Sequence, residues 1–374
     1  MIDSLRARIE RDGSVRYDEF VELALYDPSQ GFFATGGGAG RGGADFITSP
    51  EVGPLFGLLV AEFLDRRWNE LGRPDPFVVV EAAAGRGALA ISVLAAVPQC
   101  ATALRYVLVE RSEVLRARQH DHLALSHPFE VLGPERDDDL DIAARGAGGG
   151  PLVCALDELP REAVDGVVLA NELLDNVPFR LFERRSEGWH EVRVSLRDAA
   201  LVELLVPADE AAATRLERLA PDAAPGVRVP LQEQAGRWLT QALEIRRRGS
   251  VVVVDYAART PELAARPSAE WLRTYREHRR GSDPLLDVGA QDITCEVAVD
   301  QLLAVAPDAV ERTQADWLRE LGIEDRVREG REIWTANAAA PDLAAMRAAS
   351  RVPESEALLD PDGLGAFRVL EWRR

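Results

Sequence analysis

From Phe77 to Val97 the chain reads FVVVEA, then AAGRG, then ALAISVLAAV: an apolar run, a small-residue turn and a second apolar run. The first run has the length of a strand and the second that of a short helix. Similar Val/Leu runs recur at LRYVLVE, ending at Glu110, at DGVVLANELLD, and at GSVVVVDYA around Val251–Asp255. Strands this apolar along their whole length are buried on both faces, as in a parallel sheet between helical layers. A short further strand is expected at FEVLG, Phe129 to Gly133. Before the first strand, Val52, Phe56, Leu59, Val60, Phe63 and Leu64 recur at helical spacing. Thr48 or Ser49 is the expected N-cap of that helix, with Pro50 and Glu51 suiting its first turn. After the fourth apolar run, WHEVRVSLRDAALVELLVP alternates as a hairpin turning near Arg197–Ala199. LQEQAGRWLTQALEIRRRG reads as an amphipathic helix ending at Gly249. A helix at TQADWLRELG and a strand at FRVLEW finish the chain. The pattern predicts a doubly wound α/β core.

Four parts are expected: a helical N-terminal region with a glycine-rich loop (1–75), the first part of the core (76–190), a hairpin-and-helix elaboration (191–248), and completion of the core (249–374). The stretch at about 257–294, polar and proline-bearing, reads as a substrate-side insertion. The glycine-rich run Gly36–Phe46 is either a mobile lid or a disordered connector, and Asp137–Gly150 is a second polar loop.

Charge and composition remove whole classes of function. The chain has 374 residues and a formal net charge of −19, which disfavours nucleic acid and anionic membrane surfaces and allows a basic partner. No lysine occurs, so all 44 basic residues are arginine; a phosphate-loop lysine or a Schiff-base lysine is impossible. Cys100, Cys154 and Cys295 lie far apart, with no C-x-x-C pair, and suit a reducing compartment. No metal site is expected. The charged N-terminus and the absence of a bilayer-length apolar run predict a soluble, cytoplasmic protein. The arginine-rich, lysine-free composition hints at a bacterial source.

In an open parallel sheet the chemistry collects beyond the carboxyl ends of the strands. Those ends carry Glu81 with the turn Ala82–Gly87, then Glu110, then Asn171, Glu172 and Asp175, then Asp255 and Tyr256. Gly85 and Gly87 would let a ligand approach the backbone, and the following helix N-terminus favours a carboxylate. Glu110 lies 23 residues past Gly87, where an acid can accept both hydroxyls of a ribose. Asp157 is a candidate for an adenine amino group. Thr48 and Glu51 could close over the cofactor or simply cap a helix. Glu172 and Asp175, three apart, would share a face of a helical turn. Asp283, Asp287 and Asp292 either line an entrance for a basic peptide or shape turns.

The turn EAAAGRG resembles the E/D-x-G-x-G-x-G loop of S-adenosylmethionine-dependent methyltransferases, with Ala83 in place of the first glycine. A wider likeness covers nearly the whole chain: YDEFVELALYDPSQGFFA, DFITSPEVGPLFGLL, LANELLDNVPF, WLRTYREHRRGSDPLLDVGAQDIT, TQADWLRELGI and GLGAFRVLEW occur in this order. It resembles the MidA-like methyltransferase family, whose mitochondrial members are assembly factors of the respiratory NADH:ubiquinone oxidoreductase and methylate an arginine of one subunit. The resemblance implies a Rossmann-like class I methyltransferase sheet and S-adenosylmethionine as cofactor, held by Glu81, Ala83, Gly85, Gly87 and Glu110. It further implies Asn171, Glu172 and Asp175 around the target nitrogen, and an arginine-bearing protein as substrate, with a respiratory-complex subunit as one candidate. An alanine at position 83 strains the turn by roughly 1–2 kcal/mol if its φ is positive. Methylation of a small molecule and a cofactor-binding assembly chaperone without turnover are the alternatives.

Overall fold

The computed structural model describes residues 2–37, 48–133, 149–276, 279–281 and 283–374. The lid-or-connector expectation for Gly36–Phe46 falls, from residue 38 on, outside the described residues, as does most of Asp137–Gly150. The chain divides into two compact units, Met1–Phe46 with Leu173–Gln241 and Asp255–Asp308, and Ile47–Glu172 with Ala242–Val254 and Ala309–Arg374.

The second unit carries the expected sheet. Its strands are β1 (Phe77–Ala82), β2 (Leu104–Val109), β3 (Leu152–Leu156), β4 (Val164–Asn171), β5 (Arg246–Asp255), β6 (Val310–Thr313) and β7 (Arg368–Arg373), in the order β6-β7-β5-β4-β1-β2-β3. The β1–β2, β2–β3, β1–β4 and β4–β5 pairs are parallel, and β6 runs antiparallel to β7. All six residues of β1 and of β2 are buried. The chain winds outward from β1 to β3 and returns to β4 beside β1, so the switch in strand order lies between β1 and β4. Ala82 pairs with both Val109 and Ala170, which brings Glu110 and Asn171, the next residues along, to the level of the turn after β1.

Helix α1 (Pro54–Glu70) packs on α2 (Ala88–Ala95). Phe56, Leu59, Val60, Phe63 and Leu64 join Val79, Leu169, Val252 and Val254 in one apolar cluster, as the helical spacing predicts, while Val52 lies on a separate short helix and is only partly buried against that cluster. The start of that helix is not as predicted. Thr48 occupies the N-cap position of a four-residue helix, Ser49–Val52, without a side-chain cap bond. Extended Gly53 separates it from α1, and Glu354 accepts the Leu55 N–H at 2.8 Å. The cap therefore comes from 299 residues away, on the helix α4 (Leu343–Leu359), which packs against α3 (Ile323–Asn337).

Two further local expectations are corrected. Phe129–Gly133 is no strand; Pro128–Leu132 is a helical turn begun by proline and stopped by left-handed Gly133. The amphipathic helix ends at Ile245, and Arg246–Gly249 belongs to β5. Arg247 and Arg248 reach Asp165 at the start of β4, and these pairs hold its carboxyl well below the usual range.

At the far edge of the sheet Glu371 of β7 is fully buried. Ser250 Oγ donates to it at 2.9 Å, and Arg312, Arg373 and Arg67 surround it at 2.5, 2.9 and 3.5 Å. Burial alone would raise this carboxyl, but the arginines outweigh it and hold it below its ordinary value.

In the first unit, Gly188–Arg197 and Ala200–Pro207 form the expected hairpin, closed at Asp198–Ala199. Both turn residues have positive φ, as a two-residue turn matching strand twist requires. Its core joins Leu5, Phe20 and Val21 of the N-terminal helices to Phe179, Val192, Trp271 and Ile293.

Candidate functional site

Three residues of the turn after β1 are left-handed: Ala83 (φ +56), Gly85 (φ +53) and Gly87 (φ +84). The Ala84 N–H donates to Val109 O and the Gly87 N–H to Ala84 O. A Cβ built on Gly85 would meet nothing within 4 Å, so open space lies over the loop where a ligand can approach the backbone. Ala83 takes the conformation that favours glycine, so the turn survives the substitution, with the strain anticipated for a positive φ.

Glu110 is coupled to this turn. Its Oε2 accepts the Gly85 N–H at 2.9 Å and its Oε1 the Ser112 N–H at 2.7 Å. Burial raises the Glu110 carboxyl, although both N–H groups and Arg116 oppose the shift. Gln119, fully buried, donates through Nε2 to Gly85 O at 2.8 Å. Sequence reasoning passed over Gln119, because one glutamine among RARQHDH carries no local signal.

Glu81 lies beneath this surface. It is buried, and Tyr106 Oη donates to its Oε2 at 2.7 Å. Burial pushes it up to about 7, against the opposing Tyr106 bond. Asp157 is exposed beyond β3 and lines an open pocket with His127, Phe129 and Leu156.

At the end of β4, Glu172 has φ +51, an uncommon conformation for a residue with a side chain and one that clusters at functional sites. Its N–H donates to Val254 O at 2.8 Å. Its Oε1 accepts the Ser49 N–H and Asn171 Nδ2, each at 3.1 Å. The TSPE segment thus meets Glu172 through the Ser49 backbone. Thr48 and Glu51 are half-buried beside it. The left-handed Glu172 also corrects the helical-face expectation: the following 3-10 turn starts only at Leu174, so Glu172 and Asp175 do not share a helical turn.

Asp175 belongs to the first unit, which has its own polar cluster. Asp255 Oδ2 accepts the N–H groups of Leu174 and Asp175 at 2.9 and 3.3 Å. Tyr256 Oη donates to Asp175 Oδ2 at 2.5 Å. Burial pushes Asp175 up to about 6 against the Tyr256 bond. Asp292, 1% exposed, accepts Asn176 Nδ2 at 2.8 Å. Asp283 accepts the Leu285 N–H within its own turn, and Asp287 is exposed and paired with Arg276 at 3.0 Å. Among the described residues no group of three or more metal-ligating side chains occurs. No helix among them is long and apolar enough to cross a membrane.

Residues 59–317 match the family described as "Putative S-adenosyl-L-methionine-dependent methyltransferase". The chain belongs to this family. It is similar to a superfamily member from Burkholderia thailandensis crystallised with S-adenosyl-homocysteine, at 29% identity and a TM-score of 0.79, over 99% of this chain and 91% of that one. Among curated proteins it is similar to the mitochondrial protein arginine methyltransferase NDUFAF7 of Rattus norvegicus, 26% identical over 88% of this chain and 75% of the relative. The NDUFAF7 homolog of Drosophila melanogaster is also 26% identical, over 78% and 67%. The fold is the Rossmann-like methyltransferase fold, and S-adenosylmethionine is the cofactor. The open space over Gly85 and the buried carboxylate of Glu110 fit its amino-acid and ribose portions.

Proposed function

We propose that this methyltransferase modifies an arginine side chain of a partner protein, with Asn171, Glu172 and Asp175 handling the acceptor. The observation that carries the reading is left-handed Glu172 at the end of β4, next to Asn171, whose buried Oδ1 has no hydrogen-bond partner among the described residues. Buried acceptors left open are costly, and a guanidinium brings five N–H donors in a planar fork. The net charge of −19 favours a basic partner, and the curated relatives are named protein arginine methyltransferases.

When bound, S-adenosylmethionine supplies a methyl group on a sulfonium, whose S–C bond breaks with the electron pair remaining on sulfur. The residues of this chain do the rest. Glu172 and Asn171 orient the guanidinium, so that one nitrogen presents its electron density to the methyl carbon as the N–C bond forms. That nitrogen releases one proton as the N–C bond forms, and a carboxylate after β4 receives it. Glu110 and the Gly85 turn hold the cofactor, and Asp157, Thr48 and Glu51 are its outer contacts. Asp283, Asp287 and Asp292 belong to the peptide side.

The test is transfer of tritiated methyl from S-adenosylmethionine into a host lysate, with mass spectrometry of the labelled residue. Methylarginine in protein is expected, lost in Glu172→Gln, which keeps an acceptor oxygen for Ser49 and Asn171. Label found only in small molecules, or only on other residue types, would overturn the reading.

A further inference from the structure

Gly85 is held from both sides by one short segment. Its N–H donates to Glu110 Oε2 at 2.9 Å, and its carbonyl accepts from Gln119 Nε2 at 2.8 Å. The first bond restrains φ and the second ψ, so the left-handed conformation at φ +53 is fixed in a residue with no side chain of its own to fix it. Glu110 and Gln119 bracket the segment. Within it Ser112 Oγ accepts the Leu115 N–H at 3.3 Å, at the start of the helix Glu113–Ala117, and Arg116 Nη1 donates to Glu110 O at 2.6 Å. Gln119 lies on the 3-10 turn Arg118–Asp121 that follows. Its carbonyl accepts the Leu123 N–H at 3.0 Å, and a Cβ on Gly87 would come within 2.8 Å of Leu123 Cδ1. The same segment therefore seats both glycines of the turn.

The two ends of the Gln119 amide are used unequally. Nε2 serves Gly85, while Oε1 is buried and has no partner among the described residues. A bare buried acceptor lowers stability, and a methionine, of nearly the same length, would fill the place without one. Packing alone gives no reason for an amide here. Gly85 gives one: a Cβ built on it would meet nothing within 4 Å, so its backbone borders open space that a ligand can enter.

We infer that Gln119 is a positioning residue for S-adenosylmethionine: by holding the Gly85 carbonyl it sets the turn after β1 before the cofactor arrives. A free glycine samples positive and negative φ about equally. Such a turn would have to be ordered at the moment of binding, and affinity would fall accordingly. With Glu110 on the N–H and Gln119 on the carbonyl, the ordering is done during folding. The inference holds whichever acceptor is methylated, so it stands apart from the arginine reading.

The experiment compares the wild type with Gln119→Met and Gln119→Asn by three measurements: S-adenosylhomocysteine Kd from titration calorimetry, the Tm of the cofactor-free protein, and backbone hydrogen exchange by mass spectrometry. Gln119→Met keeps the length of the side chain and removes both polar ends. Gln119→Asn keeps the amide and falls one methylene short of Gly85. In both, Kd should rise about three- to tenfold, the worth of one hydrogen bond. The Tm of Gln119→Met should equal or exceed that of the wild type, because the bare Oε1 is gone. Without cofactor, exchange should quicken in peptides covering residues 82–90 while the strands of the sheet keep their protection. With S-adenosylhomocysteine bound, that difference should disappear. A Kd within about twofold of the wild type in both variants would overturn the inference. A raised Kd together with a lower Tm and faster exchange throughout the sheet would make Gln119 a support of the fold, and would overturn it too.

Discussion

The Gly85 backbone N–H donates to Glu110 Oε2 at 2.9 Å, so the turn after β1 and the acid after β2 are tied into one piece. Register explains the meeting: Ala82 and Val109 are paired, and each of the two residues lies just past its strand.

Glu110→Ala should weaken S-adenosylhomocysteine binding by roughly 1–3 kcal/mol, about a 5- to 150-fold rise in Kd. Titration calorimetry reads it directly. Unchanged affinity would place the sugar elsewhere.

Ala83 sits at φ +56, where an L-residue costs roughly 1–2 kcal/mol and glycine nearly nothing. Glycine also loses more freedom on folding, which returns part of the gain. Ala83→Gly should raise stability by up to about 1 kcal/mol, seen as a higher Tm, with cofactor affinity equal or better. A lower Tm would mean that the alanine is unstrained.

Glu81 makes stability depend on pH in a direction opposite to that of a paired acid. Its folded pKa, about 7, exceeds the ordinary 4.5. Between those values the native state holds the extra proton, so stability falls as pH rises. Its contribution is complete below about 4.5, and beyond about 7 nothing further is lost. The whole swing is on the order of 3 kcal/mol. Denaturant unfolding of Glu81→Gln at pH 5 and pH 8 should show less of this decline than the wild type. Identical slopes for both would mean that Glu81 titrates normally.

Glu371 tests the far side of the sheet. Its three arginine neighbours and Ser250 would be left around an uncompensated gap in Glu371→Ala. The expected loss is about 3–5 kcal/mol, as for other broken buried pairs, measured by urea unfolding. A loss under about 1 kcal/mol would mean that water already screens the cluster.

Much of the fold is legible in the sequence. The runs at Phe77, Leu104, Val164 and Val251 became buried parallel strands because a strand covered on both faces has no room for alternation. Local rules failed where the deciding contact was remote. Thr48 and Ser49 have the chemistry of a cap, yet Glu354 caps α1, and the Ser49 N–H goes to Glu172. FEVLG has strand residues, yet Pro128 and Gly133 turn it into a helical turn.

The sequence by itself determined the order of the strands' residues, the acids at their ends, the absence of lysine and the family to which the chain belongs. These follow from periodicity and residue chemistry, which are properties of neighbours along the chain. Only the tertiary structure decided that Ala83 and Glu172 are left-handed, that Gly85 and Gln119 hold each other, and that Tyr256 grips one oxygen of Asp175. Backbone dihedrals and hydrogen-bond partners depend on which distant segments are brought within 3 Å of one another, and no local pattern encodes that.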